Sequence, residues 1–79
     1  MRARVYVTLK PSVFDPQGRV VAEAAHTLGY GDVRDVRQGK FFEVEIDATD
    51  RAAAEARVAE MAGTLLANPV IESYRVEVI

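Results

Sequence analysis

Few side chains in this sequence are of types that do chemistry, and their spacing limits what that chemistry is. The best anion-binding candidate is Arg37-Gln38-Gly39-Lys40, in which two cations flank a turn whose amides can meet a phosphate or a carboxylate. The same residues also describe an ordinary hairpin end carrying ordinary charges. Glu43, Glu45 and Asp47 recur at every second position, which on a strand makes a solvated face rather than a metal cage. The single histidine, His26, falls on the polar side of a helix pattern with no nucleophile beside it. Cysteine is absent, which removes a thiol nucleophile and any thiolate-bound metal. The Gly-x-x-x-x-Gly-Lys-Ser/Thr pattern of a phosphate-binding loop does not occur either. The inventory predicts no catalytic residue and no metal site.

The most informative stretch runs from Lys10 to Gly18. It compresses a strand end, a loop and a helix start into nine residues. Asp15 stands where a helix N-cap belongs and Pro16 follows at the first helical position. A carboxylate there accepts a free backbone N–H, and proline has no N–H to leave unpaired. Gly18 then sits in the first turn, where glycine costs roughly 1 kcal/mol against alanine. Such a residue points to close approach by another backbone or a partner. Lys10, at the strand end, is placed to pair with Asp15 across the loop, an exposed contact worth ~0–1 kcal/mol.

The elements around these residues follow from periodicity. Residues 2–10 alternate, with Ala3, Val5, Val7 and Leu9 against Arg2, Arg4, Tyr6, Thr8 and Lys10, so they read as a half-buried strand. A helix from Pro16 to Leu28 gathers Val21, Ala24, Ala25 and Leu28 on one face and Arg19, Glu23 and His26 on the other, with Gly29 as its C′ residue. Residues 33–38 read as a short strand, Gly39 as the turn, and Phe41 to Asp47 as the hairpin partner. A second helix, from about Asp50 to Leu66, carries Ala54, Val58, Met61, Ala62 and Leu65 as its apolar stripe. Asn68-Pro69 ends it, because the residue before proline disfavours helix. The last strand spans roughly Ser73 to Ile79.

The order βαββαβ predicts an α+β, two-layer, ferredoxin-like domain over residues 1–79, with two helices on one face of a mostly antiparallel sheet. The other sheet face would carry Arg4, Tyr6, Thr8, Phe41, Glu43, Glu45, Arg75 and Glu77. A purely solvated face needs no Tyr6, Phe41 or Ile79, so these three are the expected contact between copies of the chain.

Seventy-nine residues make one domain with a thin core, since a chain this short buries only about 60% of its unfolded surface. Self-association is the expected remedy, as a homodimer or larger homo-oligomer. Ten basic and twelve acidic residues leave a net charge of −2, too weak a field for nucleic acid. No apolar run is long enough to span a bilayer, and no signal-peptide core opens the sequence, so a cytoplasmic protein without membrane contact is expected.

Three segments carry a resemblance to a known family. Asp15-Pro16-Gln17-Gly18 after a Lys-ended strand, Val36-Arg37-Gln38-Gly39-Lys40, and Leu65-Leu66-Ala67-Asn68-Pro69-Val70-Ile71-Glu72 resemble the PurS family in order and spacing. Many relatives resemble Lys-x-Gly-Val-Leu-Asp in the first loop, where this chain has Ser12 and Phe14. PurS is the small subunit of phosphoribosylformylglycinamidine synthase, of de novo purine synthesis. The resemblance implies a PurS-like fold and a non-catalytic assembly subunit, acting as a dimer between a glutaminase and an ATP-dependent synthetase. It implies no cofactor on this chain, with ATP and magnesium used by the complex. On that reading Lys10, Asp15, Gln17, Gly18, Arg37, Gly39 and Lys40 are the expected contacts with the other subunits. The alternative reading is a ferredoxin-like sensor binding an amino acid at a dimer interface. A stand-alone enzyme is disfavoured by the residue inventory.

Overall fold

The computed structural model describes all 79 residues. Strand β1 (Arg2–Leu9) is the centre of a three-stranded sheet of order β2-β1-β3, with β2 (Lys40–Glu45) and β3 (Glu72–Val78) both antiparallel to it. The alternation in β1 works as the sequence predicts. Ala3, Val5 and Val7 are buried, and the intervening side chains form the outer face. Helix α2 (Arg51–Met61) covers the inner face with Ala54 and Val58, and its N-cap Asp50 accepts a hydrogen bond from the Ala53 N–H at 2.8 Å. Full burial of a valine is worth about 1.5–3 kcal/mol, so Val5, Val7 and Val58 carry much of this small core.

The α+β class, an antiparallel sheet with two helices, is the one expected, and three details within it need correction. The four-stranded sheet is absent, because residues 33–38 form no strand and pair with no neighbour in the sheet. With Gly39 alone between them, residues 33–38 and β2 run on from one another instead of folding back. A Cβ at Gly39 would overlap the Val7 carbonyl oxygen, so glycine is required where the chain passes the end of β1.

The two helices also do not share the sheet. Helix α1 (Pro16–Thr27) has no packing against any strand comparable to that of α2. Its buried or half-buried residues are Gly18, Ala22 and Ala25, while Val21, Ala24 and Leu28, three of the four residues of the expected core stripe, are exposed. The C-terminus of α1 forms as expected. Gly29 adopts φ 99°, its N–H donates to the His26 carbonyl, and the Tyr30 N–H donates to the Ala25 carbonyl, the two bonds of a Schellman motif.

The end of α2 is the third correction. It passes into a π-helical turn, Ala62–Leu66, closed by the Ala67 N–H donating to the Ala62 carbonyl at 2.9 Å. The longer hydrogen-bonded ring shifts the register of the following residues. Leu65 is thereby 73% exposed, and Leu66 and Ala67 take the inward positions.

Candidate functional site

Asp15 is the organising residue. Its backbone is extended at φ −113° and ψ 94°, as an N-cap requires, and only 6% of its surface is exposed. Oδ1 accepts from the Gly18 N–H at 2.9 Å, and Oδ2 accepts from the Gln38 N–H at 2.6 Å. One carboxylate therefore caps α1 and ties it to the chain entering β2. The Gly18 amide is the main cause, and the Gln38 amide the next, of a carboxyl held below its usual pKa; the Arg37 charge adds to them and desolvation opposes them. Gly18 is explained by the same junction. A Cβ there would overlap the Val36 carbonyl oxygen and approach Asp15 Oδ2, so the backbone approach anticipated from its helix-breaking cost is real.

The third family segment closes the junction. Lys40 Nζ lies 3.4 Å from Glu72 Oε2, and Glu72 Oε1 accepts from the Asn68 N–H at 2.7 Å. Asn68 Oδ1 accepts from the Val70 N–H at 3.1 Å, which holds the turn after the π-helical segment. The Lys10 N–H donates to the Ile71 carbonyl at 2.8 Å. A cleft of about 210 Å³ opens here, lined by Leu9, Asp15 and Gln17 on one side and by Gln38, Gly39, Lys40 and Glu72 on the other. Gln17 is exposed at its margin.

Arg37 faces away from this cleft. Its Nη2 donates to the carbonyls of Lys10 at 3.1 Å and Val13 at 2.8 Å, bracing the loop before α1. It is a structural clamp as well as a surface charge. Lys10 does not pair with Asp15, whose two oxygens already hold backbone amides. The structure thus joins Asp15, Gln17, Gly18, Gly39 and Lys40 at one place, with Arg37 and Lys10 bound to each other beside it. Sequence reading did not single out Glu72 as a site residue. Its signal was the Asn68-Pro69 turn four residues earlier, which leaves a free Asn68 N–H for a nearby acceptor.

On the outer sheet face, Tyr6 sits between Phe41, at 5.3 Å between ring centroids, and Arg75, whose guanidinium carbon lies 4.2 Å over the ring. Arg4 reaches Glu77 at 3.6 Å and Arg2 reaches Glu45 at 3.4 Å. Exposed pairs of this kind contribute ~0–1 kcal/mol each. Phe41 and Ile79 remain more than half exposed. No cluster of three His, Asp or Glu side chains is arranged to hold a metal ion, and no helix is long and apolar enough to cross a membrane. The arrangement supplies shape, amides and a screened cation.

Compared with known proteins, residues 2–79 match the PurS family, described as phosphoribosylformylglycinamidine (FGAM) synthase. The phosphoribosylformylglycinamidine synthase subunit PurS of Bacillus subtilis (strain 168) is 51% identical over 77 residues, spanning 98% of this chain and 90% of the relative. The crystal structure of Methanocaldococcus jannaschii PurS, one of the subunits of formylglycinamide ribonucleotide amidotransferase in the purine biosynthetic pathway, superimposes with a TM-score of 0.86 at 34% identity, covering 96% of this chain and 92% of that one. A chain in the structure of PurLQS from Thermotoga maritima superimposes with a TM-score of 0.88 at 28% identity, covering 96% and 93%. With nearly the whole length matched and the three motif segments meeting at one junction, the chain belongs to the PurS family, the small subunits of phosphoribosylformylglycinamidine synthase.

Proposed function

We propose that this chain is a non-catalytic assembly subunit that holds the glutaminase and the ATP-dependent synthetase of phosphoribosylformylglycinamidine synthase in register. Ammonia freed from glutamine then reaches formylglycinamide ribonucleotide and gives the amidine. The chemistry explains the need: ammonia lost to water becomes ammonium and is no longer a nucleophile. ATP and magnesium act on the synthetase, and this chain works in the cytoplasm without nucleic acid or membrane.

The observation that carries the reading is the junction cleft. Its ionic groups, Asp15, Lys40 and Glu72, are all engaged within the chain, so it offers a fixed contour and not a reacting group. Gln17, exposed at its margin, is the side chain free to meet another subunit, while Lys10, Gly18, Arg37 and Gly39 fix the backbone around it. Tyr6, Phe41 and Ile79 present a second surface for a protein partner.

The test is reconstitution with the other two subunits. Gln17→Ala removes a side chain with no intrachain role, and glutamine-dependent turnover should fall more than ammonia-dependent turnover. Equal rates to wild type in both assays would refute the contact at Gln17. Glutaminase or ATPase turnover by the isolated chain would refute the non-catalytic reading.

A further inference from the structure

A second groove, of about 480 Å³, opens between helix α1 and residues 34–37. Its volume falls within the range of small-molecule sites, roughly 300–1,000 Å³. Both ends of the groove are tied. At the start of α1, Asp15 holds the Gln38 N–H at 2.6 Å, and Gly18 admits the Val36 carbonyl against the helix. Near the end of α1, His26 Nε2 lies 2.6 Å from the Val33 carbonyl oxygen. A carbonyl only accepts, so the ring carries a proton on Nε2 and donates it there. Between these ties the walls are set before a ligand arrives, which reduces the ordering that binding must impose.

Helix geometry selects the side chains that enter the groove. Arg19, Ala22, Glu23 and His26 recur at three- and four-residue spacing and form one stripe of α1. Val20, Val21, Ala24 and Leu28 lie on the opposite side, so the groove is separate from the exposed apolar stripe.

The charged groups in the groove keep hydrogen-bonding positions in hand. Arg34 and Asp35 enter no ion pair of the chain, and both are exposed. Arg37 donates through Nη2 alone, which leaves Nη1 and Nε. Arg19 Nε donates to Glu23 Oε1 at 3.2 Å, which leaves both Nη groups of the one and Oε2 of the other. Asp15 is occupied, since its two oxygens each hold a backbone amide. The groove thus offers three guanidinium groups and two carboxylates. Phe14, Ala22 and Val36 supply the apolar part of its lining. Planar guanidinium forks match carboxylates, two carboxylates match an ammonium group, and the apolar lining matches a few methylenes.

We propose that this groove binds a free acidic α-amino acid, with its two carboxylates on Arg19, Arg34 and Arg37 and its ammonium group on Glu23 and Asp35. A neutral amino acid lacks the second carboxylate, and inorganic phosphate lacks the ammonium group. The site goes beyond the proposed function, and only its use rests on that reading. Glutamate is the other product when glutamine gives up ammonia, so a bridging subunit that binds it registers glutaminase turnover.

The test uses the isolated full chain at fixed ionic strength, because exposed charges are screened over about 8 Å at physiological salt. Isothermal titration calorimetry with L-glutamate should show one saturable site per chain, with Kd on the order of 1 mM for a groove open to water. L-glutamine, N-acetyl-L-glutamate and inorganic phosphate should each bind at least about tenfold more weakly. Arg34→Ala should weaken glutamate binding by about tenfold or more. Asp35→Asn should weaken binding of glutamate but not of N-acetyl-L-glutamate, which has no ammonium group to lose. Circular dichroism should be unchanged in both variants, and the ligand ranking on the unaltered chain stands whatever they do to the fold. Absence of saturable binding at tens of millimolar glutamate would overturn the proposal. So would glutamine or phosphate binding as tightly as glutamate, full affinity in a folded Arg34→Ala chain, or equal effects of Asp35→Asn on the two acidic ligands. These titrations need no other subunit, so an empty groove and a failed reconstitution are told apart.

Discussion

Replacing Gly18 by alanine gives a test whose sign, and not only its size, depends on the junction. In an unobstructed helix the change favours folding by up to about 1 kcal/mol, through the difference in helix propensity. Here the new Cβ would overlap the Val36 carbonyl oxygen, and it would sit 2.9 Å from the Val36 carbonyl carbon and 2.6 Å from Asp15 Oδ2. Two of those atoms are backbone and the third belongs to a carboxylate whose two oxygens each hold an amide, so none can rotate aside. Relief requires residues 36–38 to lift off α1, which stretches the 2.6 Å bond from the Gln38 N–H to Asp15. Overpacking of this kind costs about 1–3 kcal/mol, and rigid neighbours place it in the upper half of that range. After the propensity gain, Gly18→Ala should be destabilised by ~1–2 kcal/mol, or roughly 4–16 °C in Tm for a domain this size. Thermal unfolding followed by circular dichroism at one fixed protein concentration reads this directly, since any self-association would make Tm depend on concentration. Gly31→Ala is the control, because nothing lies within 4 Å of its added Cβ. A Gly18→Ala chain that melts at or above the wild-type temperature would show that residues 36–38 do not rest on α1.

Three further outcomes are expected. The carboxyl of Asp15 titrates below its unfolded value in the folded chain, so its stabilisation is complete above the usual carboxylate range and is lost as pH falls through the lowered pKa; urea midpoints between pH 6 and acid should fall less steeply in Asp15→Asn than in wild type, and equal slopes would contradict this. Val58→Ala deletes two methyl groups at a fully buried site and should cost about 1.5–3 kcal/mol, read as a lower urea midpoint with unchanged m-value. Arg37→Ala should cost about 1 kcal/mol, above the 0.5 kcal/mol typical of surface changes, because it frees the Lys10 and Val13 carbonyls, whereas Lys40→Ala, which removes one partly exposed pair with Glu72, should cost less; equal and negligible losses would mean that the Arg37 clamp does not form in solution.

The local signals were legible in the sequence because they concern neighbours in the chain. Alternation placed Ala3, Val5 and Val7 inward. The Asp15-Pro16 pair set the start of α1 and Gly29 set its end, and each depends on backbone groups only a few residues away. The expense of Gly18 in a first turn correctly foretold a close backbone, though not that Val36 supplies it. Periodicity fixed less than it promised. It marked the stripe of α1 as apolar, but an apolar stripe states only that something must cover it, not whether that cover lies in the same chain. It identified residues 33–38 as strand-like, but pairing requires a neighbouring edge, and a single glycine before β2 carries the segment away from its own sheet. The π-helical turn exchanged Leu65 for Leu66 because a single five-residue hydrogen bond changes the angular position of everything after it. Above all, sequence order kept Asp15, Lys40 and Glu72 apart, each with an ordinary local explanation. Only the antiparallel placing of β2 and β3 on either side of β1 brings the segments that hold them to the same end of the sheet, where backbone amides left unpaired by two turns find their carboxylates.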